Sequence, residues 1–553
     1  MSAPSGIARA VPLLPLPSHG LRQLAIYCLT AVLLLATSPF AKADPPGSGP
    51  SDEISAVFEQ RIRQLEQSQQ TLLELNRQLS SQIQSRLPQD RSPQVSAVPA
   101  EMIVPPAPLD EAATGLPNNI PAFDPVGPTP SDVFSTTPVD TSLEFPREVP
   151  FFNPGTRTPD YFVTFDRGFV VRPTNADDSP FELKINAQNQ IRYTGFLRED
   201  ATWTDSAGVV SPVSNMSSFQ IPRGRIIFSG FAFRKELLYN LNIDYNTVGS
   251  SQINFRAYWL AWRFSKAMTV YAGQSKVPGS REWLESFVNT MGVDRSMATT
   301  FFRPSLSQGI WATGESTNGL FYHVMMSNGF NTLGSTPQQL SSRMAFSGSL
   351  WCEPLGNFGP GYSDFEWHED PAIRLGTSLT YAPESGPQGT SLAPENSAIR
   401  LSDGTLVTST GAIAPGVTLN AFKIGLASVD FACKYRGLGI SGEVFWQDLF
   451  ALEGSGPLPR SSIRQYGGFA QAGYFWIPET VETYMRTSHV TGPYGTGSEY
   501  AGGFNWFLLP GKQNLRFTVD AAWLNNCPAD QNRTNYQAGQ TGILLRSQLQ
   551  LYF

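Results

Sequence analysis

From about Tyr161 onward the chain alternates apolar and polar residues with a period of two. The last thirteen residues, T-G-I-L-L-R-S-Q-L-Q-L-Y-F, show the pattern most cleanly. Ile543, Leu545, Leu549, Leu551 and Phe553 share one parity, while Arg546, Gln548 and Gln550 share the other. A strand sends successive side chains to opposite faces, so this segment has one greasy and one wet face. About ten such residues ending on an aromatic predict the closing strand of an outer-membrane β-barrel. The segment 183–193 reads the same way, with Leu183, Ile185, Ala187, Ile191 and Tyr193 against Lys184, Asn186, Gln188, Gln190 and Arg192.

Further strands are predicted at 221–233, 235–246, 253–264, 267–275, 309–315, 318–327, 341–352, 371–381, 419–430, 433–448, 464–475, 478–490, 499–509, 512–524 and 541–553. With 183–193 they make about sixteen, an even number as a single-chain bacterial barrel needs. The connections alternate between short turns and long loops, notably 195–220, 276–308 and 382–418. The exception is 353–370, a long segment on the short-turn side, read either as a slip in the strand assignment or as an insertion. Residues 161–171 either add a strand or form a hairpin. The fold class is therefore all-β, a transmembrane barrel over 161–553.

Upstream the period changes. Phe58, Leu65, Leu72 and Leu79 recur every seventh residue, and Ile62, Gln69, Asn76 and Ile83 form a second series offset by four. This is the a/d pattern of a coiled coil over 54–87, with polar a-positions that set register and oligomer choice. Residues 88–160 form a Pro-rich linker, with 16 prolines between Pro88 and Pro159, and predict an extended spacer. Ahead of both, Arg9 and Arg22, the apolar run Leu24–Ala36 and Ala41-Lys42-Ala43 predict a cleaved signal peptide over 1–43.

That leader holds three of the 39 basic residues and none of the 46 acidic ones, leaving a mature chain with a net charge of about −10. Such a balance argues against nucleic acid as a partner. It leaves an anion pore open, because selectivity depends on the few charges at a constriction. Cys352, Cys433 and Cys527 are widely spaced and odd in number, unlike a disulfide framework or a zinc site.

The stretch from Phe219 to Glu315 resembles the phosphate-selective porin O and P family. Its first matching piece is F-Q-I-P-R-G-R-I-I-F-S-G (219–230), followed by Tyr239, Asn242 and Asp244. The second is G-Q-S-K-V-P-G-S-R-E-W-L-E (273–285) and the third V-D-R-S-M (293–297). One departure is the Ile221-Pro222 pair ahead of Arg223, with Gly224 between the two arginines. With the C-terminal strand the resemblance covers roughly 180–553. It implies a trimeric, sixteen-stranded porin in the cell outer membrane, whose third loop, here 276–308, folds inward to narrow the pore. That loop carries Lys276, Arg281, Arg295 and Arg303 against Glu282, Glu285 and Asp294, and Arg223, Arg225 and Arg256 lie on neighbouring strands. Guanidinium forks suit oxyanions such as phosphate. The same arginines could equally pair with loop carboxylates and hold the loop to the wall.

Other signals weigh less. His323, His368 and His489 lie far apart, no nucleophile–base signature accompanies them, and neither catalysis nor a cofactor is expected. His368-Glu369-Asp370, with Asp364 or Glu366, reads as a solvated polar turn ahead of a metal site. Trp259, Trp262, Trp446, Trp476 and Trp506 read as interfacial girdle residues. The expected partners are outer-membrane lipid, small anionic solutes, two further copies of the chain, and the cell wall through a periplasmic coil. The rival reading is a plugged barrel that anchors the envelope through that coil.

Overall fold

The computed structural model describes residues 161–553 except 175–180, 249–252, 317–318, 336–339, 341–342, 387–393, 395–397 and 510. The leader, the heptad segment and the spacer lie outside the described residues. Sixteen long strands follow in order: β1 Phe181–Arg198, β2 Met216–Ala232, β3 Arg234–Tyr245, β4 Ile253–Ser265, β5 Met268–Lys276, β6 Leu306–Glu315, β7 Leu320–Ser327 and β8 Ala345–Leu355. The second half comprises β9 Ala372–Ser385, β10 Leu419–Tyr435, β11 Leu438–Gly454, β12 Ser462–Ile477, β13 Val481–Gly492, β14 Gly495–Leu509, β15 Lys512–Asn525 and β16 Gly542–Tyr552. Each pairs antiparallel with the next, and β16 pairs back onto β1 from Gly542↔Arg198 to Tyr552↔Gln188. The sheet is a closed barrel, which leaves no backbone edge facing lipid.

Every strand predicted from alternation is present, most of them longer than predicted. In β16 the pattern holds as read: Ile543, Leu545, Leu549 and Leu551 are exposed on the outer wall, while Arg546, Gln548 and Gln550 are buried inside. One end of the barrel carries tight turns. At Arg436-Gly437 both residues adopt positive φ (47° and 79°), as a two-residue hairpin matched to strand twist requires. The other end carries the long loops, apart from 493–494, where Gly492 pairs directly with Gly495.

Residues 356–371, between β8 and β9, are an insertion at the short-turn end, so the strand assignment there does not slip. Of its polar residues, Glu366, Glu369 and Asp370 are exposed, as a solvated turn requires, whereas Asp364 and His368 are fastened into the structure. Asp364 is buried, accepts from the Gly437 N–H at 2.7 Å and lies 2.5 Å from His368 Nδ1. His368 Nε2 contacts the Asn357 carbonyl at 2.9 Å, and Lys434 pairs with Glu366 at 3.3 Å. Asp364, Glu366 and His368 are close enough to share an ion, but their ligand atoms are engaged in fastening the insertion.

One girdle assignment is corrected. Trp446, Trp476 and Trp506 are exposed on the wall, but Trp259 packs against the buried Tyr271 and Trp311. The register shifts between β3 and β4 at Asn242/Ile243. Ile253 and Phe255 are exposed before that bulge, and Leu260 and Phe264 after it, so the outward parity changes. A bulge of one residue swaps the faces of everything beyond it.

Residues 161–173 form a hairpin of two short strands, Tyr161–Phe165 and Phe169–Pro173. Its second strand pairs with β1 from Phe169↔Ile185 to Val171↔Leu183, below the point where β16 stops. Phe553 exchanges both backbone bonds with Ala187 at 3.0 Å, and Asn186 Nδ2 donates to the Phe553 carbonyl at 3.1 Å. The Phe553 ring lies 5.6 Å from that of Phe169 and 6.4 Å from that of Phe165. A Cβ on Gly168 would sit 2.4 Å from the Asn186 amide, so glycine alone fits beside this junction.

The interior is asymmetric. A continuous apolar core runs along β8–β16 and β1, joining Ile424, Phe445, Val490 and Leu544 to Leu401, Val407 and Tyr536 of the long loops.

Candidate pore constriction

The segment 277–305, between β5 and β6, leaves the wall and crosses the barrel. It holds two short helices, α1 Arg281–Leu284 and α2 Met297–Phe302, each with a serine N-cap: Ser280 Oγ accepts from Trp283 N, and Ser296 Oγ from Thr299 N. Inward side chains from many strands, β11 and β13–β16 among them, grip its backbone. Glu443 on β11 accepts from the N–H groups of Arg281 (2.9 Å) and Glu282 (3.2 Å). Asn505, Arg516 and Gln550 donate to the carbonyls of Met291, Thr290 and Val288. Glu499 accepts from Met297 N at 2.8 Å, and Ser488 from Ala298 N at 2.9 Å.

Asp294 is the central fastener. Arg223 donates to both its carboxylate oxygens (2.6 and 3.0 Å), Arg192 adds a third bond at 2.9 Å, and Arg486 donates to its carbonyl at 2.8 Å. Burial opposes the Asp294 charge, yet Arg223 and Arg192 outweigh it and hold the carboxyl well below the usual carboxylate range. Behind it Arg546 is bidentate to Asp520, and Arg486 pairs with Glu499.

The seven cations marked in the sequence divide into three groups. Arg223 and Arg225, at alternate positions of β2, share one face of the lumen, and the register shift at Ile221-Pro222 just before them realigns β2 against β1 (Gln190↔Arg223, Arg192↔Gln220). Proline sits in that bulge, where no ladder donor is needed. Gly224 lets the Tyr245 ring lie across the strand, since a Cβ there would fall 2.1 Å from it. Arg223 takes Asp294, Arg225 takes Asp244 at 3.0 Å, and both lie over the Phe287 ring. Arg281 stands apart, between the rings of Phe358 (4.9 Å) and Tyr362 (4.5 Å) of the insertion, and 3.9 Å from Asp430. These three are structural or paired.

The other four converge on one indole. Arg303, Lys276, Arg295 and Arg256 lie 4.1, 5.2, 5.3 and 5.9 Å from the ring centroid of the buried Trp283. Lys276 donates to the carbonyls of Leu284 (2.8 Å) and Glu285 (2.9 Å), and Arg295 to those of Glu282 and Glu285, both at 2.8 Å. None of the four makes an ion pair among the described residues. Burial, and then Arg295 and Arg223, lower the Arg303 pKa from its usual value. Such crowding of like charge is relieved by an anion. Arg256, Lys276 and Arg303 are each only half-buried.

Sequence reasoning missed Trp283 as the organiser, although it lies inside the Gly273–Glu285 piece. It also missed Arg192, Arg486 and Arg546 as fasteners. The wet parity of the first and last strands already held Arg192 and Arg546.

A closed sixteen-stranded barrel with an apolar belt, entered by its third long loop, defines an outer-membrane channel of the porin type. The sequence model of the family described as phosphate-selective porin O and P matches residues 192–553. The chain belongs to that family. No curated protein matches the sequence. Similar solved structures include an anion-selective porin from Comamonas acidovorans (11% identity over 68% of this chain and 100% of that one, TM-score 0.43). Others are OmpT of Vibrio cholerae in its trimer form (11%, 67% and 99%, 0.41) and OmpF of Salmonella typhi (9%, 68% and 98%, 0.42). At that level of similarity they add nothing to the family assignment.

Proposed function

We propose that this porin passes small hydrophilic anions, phosphate-like oxyanions among them, through a passage narrowed by 277–305. One observation carries the reading: four cations gather on Trp283 without a carboxylate partner. A dehydrating oxyanion exchanges water for charge-assisted hydrogen bonds there. The passage runs on the β2–β7 side, because the apolar core of α2 and the long loops fills the side from β8 round to β1. Family membership and the outer-membrane setting favour a homotrimer. The heptads at 54–87 support a periplasmic coil that assists trimerisation or reaches the cell wall, and deleting 44–90 should weaken trimers or release wall association.

Single-channel recording in planar bilayers across a KCl gradient, with and without phosphate, tests the selectivity. Anion-directed reversal potential and phosphate block support it; a cation-selective channel sinks it. The filled half-lumen favours one second reading, a plugged barrel serving as an envelope anchor. Silence from well-folded protein would establish that instead.

A further inference from the structure

The outer wall of β5–β12 carries a groove of about 1160 Å³ in the half of the barrel nearer the long loops. Its floor is made of small outward residues, Ala312, Gly348, Gly425 and Ala427, and its walls of Phe346, Leu379, Tyr381, Trp446 and Phe450. The rings of Tyr381 and Phe450, from strands on either side of β10, approach to 6.4 Å. They do so opposite Gly425, which pairs with Tyr381 on one side and Asp448 on the other. Phe346, Leu379 and Trp446 are exposed on a wall that faces hydrocarbon, so the groove's medium is acyl chain by default.

Its upper rim is charged. Arg464 is bidentate to Asp448 across β11 and β12 at 2.8 and 3.2 Å, yet its side chain remains 72% exposed. Lys423, opposite Phe450 and two residues nearer the long loops than Gly425, makes no ion pair among the described residues. Two cations thus stand at the long-loop edge of an apolar groove, beyond the level of the outward Trp446 and Tyr466. We infer that this groove holds one lipid with an anionic phosphate monoester headgroup in the leaflet at the long-loop end, its chains over Gly348, Gly425 and Ala427 and its phosphate between Lys423 and Arg464. Basic side chains at headgroup depth above a fitted apolar surface are the chemistry that recognises such a lipid.

Native mass spectrometry of the detergent-purified full chain tests this, with dioleoyl phosphatidic acid and dioleoyl phosphatidylcholine as probes. The wild type should retain phosphatidic acid at about tenfold lower concentration than phosphatidylcholine, the equivalent of one charge-assisted contact. Lys423→Gln with Arg464→Gln should abolish that preference, and Asp448→Asn should strengthen it. Gly425→Leu, whose Cβ has 3.6 Å to the Phe450 ring, should lower retention of both lipids while heat-modifiable gel migration remains normal. Equal retention by wild type and all variants would mean an annular shell without a site, and overturns the proposal. So would a Gly425→Leu protein that keeps its lipid but loses its oligomer, since the groove would then be a contact between copies.

Discussion

At the scale of single residues, arginines of like appearance do different work. Arg223 and Arg225 flank Gly224 and each pairs with an aspartate that a second arginine shares, Asp294 with Arg192 and Asp244 with Arg533, while Arg303 packs on an indole face and donates to the Pro304 carbonyl. Arg303→Gln or Lys276→Gln should therefore weaken phosphate block about tenfold, as the loss of one charge-assisted bond implies. Arg225→Gln should leave block nearly unchanged; bilayer recording across a phosphate titration separates the two. The fastener makes a different prediction. Removing one partner of a buried ion pair costs about 3–5 kcal/mol, so Asp294→Asn should loosen 277–305 and produce noisy, larger openings. The Asp294 carboxyl is held below its ordinary range, so its contribution is complete above the unfolded value of about 3.9 and fades as pH falls through the lower folded value. Channel noise should accordingly stay flat from pH 8 to 5 and rise only in stronger acid. Noise that grew between pH 7 and 5 would contradict the assignment.

At the scale of elements, the strands were legible because a wall with lipid on one side and water on the other imposes alternation on every segment. The exceptions are informative. Trp259 was misassigned because the bulge beside Asn242 leaves no trace in composition, yet it inverts β4. The insertion 356–371 was visible as an excess of length, but its role was not, since Phe358 and Tyr362 meet Arg281 of a segment far earlier in the chain. Pairwise contacts between distant segments carry no local period. The same holds for Trp283, an apolar residue whose four cationic neighbours come from three separate stretches of chain. Replacing 357–369 with a two-residue turn should strip Arg281 of its stacking partners and raise conductance while leaving the sign of selectivity intact. A reversed sign would place the selectivity determinant in the insertion.

At the scale of the molecule, the barrel is closed by two terminal strands and a hairpin that occupies the edge of β1 beyond β16. Deleting 161–173 should lower the temperature at which the protein loses its heat-modifiable gel form, because the Phe165–Phe169–Phe553 cluster and three ladder pairs go with it. An unchanged transition would show that the hairpin contributes nothing to closure. Its position has another effect, on the choice of alignment during assembly. Slipping β16 by one residue along β1 turns Arg546 and both glutamines toward lipid, and alternation alone rejects it. A slip of two keeps every face correct, and patterning cannot detect the error. Only Asn186 separates the Phe553 partner on β1 from that of Phe169. A two-residue advance would drive the terminal ring into a strand already in place. The hairpin thus works as an end-stop, excluding the even-numbered advances that the sequence pattern would accept.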